Sequence, residues 1–114
     1  MTIVKARNGD DFADSVLSSP KPALVFFTSL KCRPTSAIAP LIEDISEELA
    51  DEMTVVELDI DENPELANRF RVSATPTLAI FNEGKIIGIS KGNRPKSALL
   101  AFIRGANIIV QYSD

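Results

Sequence analysis

The sequence predicts an α/β layer fold: a central mixed sheet with helices on both faces, in the order βαβαβαββα. Three observations carry this. Ala23–Thr28 is an apolar run with little alternation, the pattern of a strand buried on both faces. Ile38, Leu41, Ile42, Ile45 and Leu49 recur at helical spacing, with Glu43, Asp44, Glu47 and Glu48 filling the other face. Asn82-Glu83-Gly84-Lys85 joins two short strand-like runs and predicts a hairpin with positive φ at Gly84, which adds an antiparallel edge. The other crossovers should be right-handed.

The elements follow in order. Thr2–Ala6 predicts a short first strand. Asp10 or Asp11 is expected to cap a helix through Phe12, Val16 and Leu17 that stops near Ser18-Ser19-Pro20. After the Ala23–Thr28 strand, the second helix is expected over Arg33–Leu49, with a kink at Pro40, which lacks a backbone donor. Thr54–Ile60 predicts a second central strand. Asn63 is then expected as a cap, with Pro64 in the first helical position and a short helix over Glu65–Phe70. Thr77–Phe81 and Lys85–Ser90 are the two arms of the hairpin. Pro95 opens a last helix with Leu99, Phe102, Ile103 and Ala106 inward, and 108–114 is expected as a tail. The whole of 1–114 is expected to form one domain.

Composition narrows the function. A chain of 114 residues, 45% hydrophobic and 25% charged, matches an ordinary globule with one core. Its net charge of −4 argues against a nucleic-acid partner. No apolar run approaches the roughly 20 residues of a membrane helix, so no membrane role is expected. Met1–Asp10 has no apolar core of a leader peptide. One cysteine and no histidine leave no internal disulfide and no metal site in prospect. All of this is compatible with a reducing cytoplasm and a monomer.

Cys32 is the one cysteine, in Lys31-Cys32-Arg33-Pro34-Thr35, between a buried strand and an amphipathic helix. That position sets a thiol at a helix N-terminus, where free N–H groups and the helix dipole favour an anion. Lys31 and Arg33 add cations. Such surroundings lower a thiol pKa and make a nucleophile. The alternative is a small buried hydrophobe, but the loop position and the adjacent cations favour a reactive thiol. Asp61, Glu62 and Glu65 form an acidic cluster, expected as a solvated helix start.

These pieces, with Ala39-Pro40, Asp59-Ile60-Asp61-Glu62-Asn63-Pro64, Thr75-Pro76-Thr77, the Gly84 turn and Gly92, resemble the thioredoxin family over roughly residues 3–107. The resemblance implies the thioredoxin fold, with a cis Thr75-Pro76 bond lying against the Cys32 loop. It also implies a client-binding surface of Lys31, Arg33, Pro34, Ala74, Thr75, Pro76 and Gly92. The chain departs from the family's usual Trp-Cys-Gly-Pro-Cys loop. Lys31 stands for tryptophan, Arg33 for glycine and Thr35 for the resolving cysteine. The family's buried acid falls at Phe26 and its lysine partner at Glu57. Glu57 reads either as a relocated carboxylate near Cys32 or, the plainer and favoured reading, as an acid reaching solvent.

Two functions follow. One is thiol–disulfide exchange through Cys32 alone, with Thr35 hydrogen-bonding the sulfur, clients that are proteins or peptides, and no cofactor beyond an external thiol such as glutathione. The other is a redox-inactive module that binds extended peptides in the same groove.

Overall fold

The computed structural model describes residues 3–29 and 33–112, and the side chains of all of these except 33–37 and 106–112. Five strands and four helices alternate as expected: β1 (Ile3–Ala6), α1 (Gly9–Phe12), β2 (Ala23–Thr28), α2 (Arg33–Glu48), β3 (Thr54–Asp59), α3 (Pro64–Arg69), β4 (Thr77–Asn82), β5 (Lys85–Lys91) and α4 (Lys96–Tyr112). The strands form one sheet in the order β1-β3-β2-β4-β5. β1 and β2 run parallel to β3, β4 runs antiparallel to β2, and β5 antiparallel to β4.

Two apolar layers sandwich the sheet. On one face Leu24, Phe26, Val55, Leu78 and Ile80 pack with Ile38, Ile42, Ile45 and Leu49 of α2 and with Leu99 and Ile103 of α4. On the other, Val25, Phe27, Val56, Leu58 and Phe81 pack with Phe12 and Val16, and Leu66 and Phe70 lean against them. Every residue of β2 is buried, as its unbroken apolar run requires of a central strand. Phe12, Phe70 and Phe81 meet at centroid separations of 5.2 to 5.6 Å, two of the three contacts edge-on.

Several boundaries differ from the sequence reading. The first helix is capped by Asn8, whose side chain accepts from the Asp11 N–H at 2.9 Å, not by Asp10 or Asp11. Asp11 instead accepts a hydrogen bond from the Arg7 guanidinium at 3.0 Å, and that bond, with a second from the Arg7 backbone N–H, holds its carboxyl below the usual range. After Phe12 the helix widens into a π-helical turn, Ala13–Leu17, and stops at Ser18. The cap at Asn63 makes no side-chain hydrogen bond to the helix; its amide donates to the Asp59 carbonyl at 3.0 Å. α2 runs on through Pro40. The hairpin turn has positive φ at Glu83 (53°) as well as at Gly84 (78°), the pairing of a type I′ turn. α4 continues through 108–112, where a tail was expected. No Gly or Pro follows Gly105, so nothing in the covalent chain interrupts the backbone ladder there.

Candidate functional site

The sheet collects the candidate residues at one end. β2 finishes at Thr28 and α2 begins at Arg33, so the segment that carries Cys32 joins a buried strand to a helix start. Leu30, Lys31 and Cys32 lie outside the described residues, as do the side chains of Arg33, Pro34 and Thr35. In the β2–β4 register Phe27 faces Thr77, which brings the turn before β4 to the end of β2. In the β4–β5 register Thr77 faces Lys91, which brings Gly92 to the same end.

The Thr75-Pro76 bond is cis, as the resemblance implied. Pro76 is buried, Thr75 half-buried and Ala74 exposed. Two bonds fix this turn. The Thr77 hydroxyl donates to the Ala74 carbonyl at 2.8 Å, and the Gly92 N–H donates to the Pro76 carbonyl at 2.9 Å. Gly92 has φ of +83°, which L side chains rarely adopt. Ala74, Thr75, Pro76 and Gly92, four of the expected client-binding residues, are therefore one tied assembly beside the end of β2. The expected contact between Pro76 and the Cys32 loop concerns residues outside those described.

Below the loop lies a second set of bonds. The Ile60 N–H donates to the Thr28 carbonyl at 2.9 Å, which extends the β2–β3 pairing past both strands. The buried Ser29 donates its hydroxyl to the Asp61 carboxylate. The Asp59 carboxylate, 6% exposed, accepts from the Asp61 N–H at 2.7 Å and the Glu62 N–H at 3.4 Å. The acidic cluster is thus partly structural: Asp59 closes the turn and Asp61 ties it to the start of the Cys32 segment. Sequence reasoning missed Ser29. Its partner is 32 residues away, and only the strand register brings them together.

Phe26, at the family's acid position, is 1% exposed and sits in the α2-side core with Leu24, Val55 and Leu78. Glu57 faces Phe26 in the β2–β3 register and Lys5 in the β1–β3 register, and is half-buried. Partial access to water is the plainer of the two readings for this carboxylate. Among the described residues no group of His, Cys, Asp or Glu could hold a metal ion, and no helix is long and apolar enough to cross a membrane.

Known proteins bear on this geometry directly. The thioredoxin family model matches residues 3–105. The chain belongs to the thioredoxin family. A thioredoxin of Mycobacterium tuberculosis is 45% identical over 89 residues, covering 78% of this chain and 77% of that protein. A thioredoxin of Acidithiobacillus ferridurans is 39% identical over 94 residues, covering 82% of this chain and 87% of its own. One from Bacillus subtilis is 36% identical over 99 residues, covering 87% and 92%. The five-stranded mixed sheet is the thioredoxin fold, and the family places this chain among redox proteins.

Proposed function

We propose that this chain carries out thiol–disulfide exchange on protein or peptide clients through Cys32 as its one nucleophile. The observation that carries the reading is a single cysteine, in Cys32-Arg33-Pro34-Thr35, at the joint of a buried strand and a helix of a thioredoxin-family domain. The Cys32 thiolate attacks a client disulfide, forming one S–S bond and releasing one client thiolate. Thr35 has no thiol to attack the mixed disulfide. An external thiol such as glutathione takes that role, restores Cys32 and carries the disulfide onward. With a glutathionylated client, Cys32 takes the glutathionyl group and the client thiolate leaves; a glutathione thiolate then attacks that mixed disulfide, frees the Cys32 thiolate and leaves as oxidised glutathione. Isomerisation and deglutathionylation are the outcomes this chemistry allows.

The burial of Phe26 supports the monothiol form. In dithiol relatives a buried acid helps deprotonate the resolving thiol; here both the acid and that thiol are replaced. Lys31, Arg33 and Pro34 flank the thiol, and Ala74, Thr75, Pro76 and Gly92 offer the surface for an extended client. The same reading assigns a reducing cytoplasm, a monomer and no resident cofactor. The same two replacements are also compatible with a second reading, a redox-inactive peptide-binding module.

The deciding experiment is the pH profile of Cys32 alkylation, paired with mass spectrometry of Cys32 adducts from cell extract. A thiol pKa well below the free value of ~8.5, with glutathione or protein adducts, supports exchange. An ordinary or raised pKa with no adducts overturns it in favour of the binding module. Insulin reduction with thioredoxin reductase should be weak or absent. Robust turnover lost in Cys32→Ser would show that one thiol suffices for that reaction.

A further inference from the structure

The charges of this acidic chain are segregated. Residues 1–84 hold fifteen acids against seven cations, whereas from Lys85 to Ser113 there are five cations and no acid. The basic stretch is β5 and α4 with the loop between them. β5 is an outer strand of the sheet, with β4 as its only strand neighbour among the described residues. Against it lies an open depression of about 560 Å³ lined by Ile89, Ser90, Lys91, Arg94, Ala98 and Phe102. Ile89 is 47% exposed, one of two large hydrophobics exposed among the described residues. Arg94 also lines a smaller depression of about 310 Å³, whose floor includes Ile38, Leu41 and Pro95. Two apolar hollows thus share one cation at their border.

Edge protection explains part of this. Lysines at both ends of β5 and the irregular pairing opposite Ile80 and Phe81 deter pairing with another strand. It does not explain Arg94, which lies beyond the strand, or an exposed isoleucine beside a half-buried phenylalanine. Among the described residues Lys96 of this stretch is paired, to Glu48 at 2.6 Å, while Lys91 and Arg94 have no salt-bridge partner.

We propose that the β5–α4 edge is a docking site for an acidic peptide segment, one carrying an apolar side chain between Asp or Glu residues. The apolar side chain enters the hollow at Ile89, Ala98 and Phe102, and the carboxylates meet Lys91 and Arg94. Charge complementarity selects this partner: a basic segment meets like charge, and a neutral one leaves the cations unmatched. The site neither includes Cys32 nor needs its chemistry.

The test is a titration of the Cys32→Ser protein, followed by amide NMR, with the capped peptide Glu-Leu-Asp-Phe-Glu. Controls are Lys-Leu-Lys-Phe-Lys and Glu-Ser-Asp-Ser-Glu. Saturable shifts confined to the residues lining the hollow are expected with the first peptide only, and they should weaken with added salt. The double reversal K91E/R94E should weaken binding roughly tenfold or more. Ile89→Ser, which keeps the charges, should also weaken it. Absent or unsaturable shifts, equal binding of the lysine peptide, or full binding of the serine peptide would overturn the proposal. So would shifts at these residues on raising the protein concentration alone, which would make the edge a contact between copies.

Discussion

Phe26, at the position where the family resemblance implies a buried acid, is a packing residue. At 1% exposure among Leu24, Val55 and Leu78, it leaves no room for a solvated carboxylate. Phe26→Asp should therefore cost about 3–5 kcal/mol, from the lost ring and an unpaired buried acid together, read as a lower urea midpoint. Thr35→Cys should cost little, since side-chain volume barely changes. It should form a disulfide with Cys32 on mild oxidation and gain partial reductase turnover. If it cannot, the loop does not hold the geometry of its dithiol relatives. A third single-residue effect follows from Arg7. Its hydrogen bond lowers the Asp11 pKa. A carboxylate with a depressed folded pKa adds stability above its unfolded value and loses it as pH falls through the folded one. Both groups are solvent-exposed, so the effect on stability is small. The direct check is an NMR titration, in which Arg7→Ala should move the Asp11 midpoint up only part of the way, because the backbone N–H of residue 7 still donates to the same carboxylate at 3.0 Å.

At the scale of elements, the hairpin between β4 and β5 shows what was readable in sequence and what was not. Gly84 announces a turn, and its φ of 78° agrees. The positive φ at Glu83 was not announced, because a type I′ turn shows itself in composition only when both central residues suit it. Glu83→Asn should thus stabilise the protein by about 0.5 kcal/mol. Gly84→Ala should destabilise it by about 1 kcal/mol. An added Cβ would meet only ordinary contact with the Leu17 carbonyl at 3.7 Å, so that cost is conformational. Urea midpoints test both. α2 was legible nearly to the residue because its apolar stripe has one period and one partner face. The start of α1 was not. Asn8, Asp10 and Asp11 are all good caps, and the Arg7 ion pair that draws Asp11 away is a matter of geometry. The site divides in the same way. Ala74, Thr75, Pro76 and Gly92 were found by resemblance, and the sheet brings them together. The Ser29–Asp61 bond has no local sequence mark.

At the scale of the molecule, one sheet serves two cores, and this governs how the site fails. Ile42 belongs to the layer under α2 and Val56 to the layer under α1 and α3, each 0% exposed. The sheet lies between them, so the two side chains share no neighbour. Ile42→Val should cost about 1 kcal/mol and Val56→Ala about 2 kcal/mol, each from lost burial plus a small cavity. The costs should add within about 0.5 kcal/mol, as they do for sites without common contacts. Yet the protein should still unfold in one step. β2 and β3 contribute side chains to both layers, so neither layer can melt without exposing the other. Chemical denaturation of the two single variants and the double variant, followed by far-UV circular dichroism and by amide exchange on each face, checks both expectations. Coincident transitions with additive midpoint shifts are the expected result. Earlier loss of the α2 layer alone would mean that the helix beginning just after Cys32 opens independently. The helix start would then move independently of the sheet end that the Thr77–Ala74, Gly92–Pro76 and Ser29–Asp61 bonds brace.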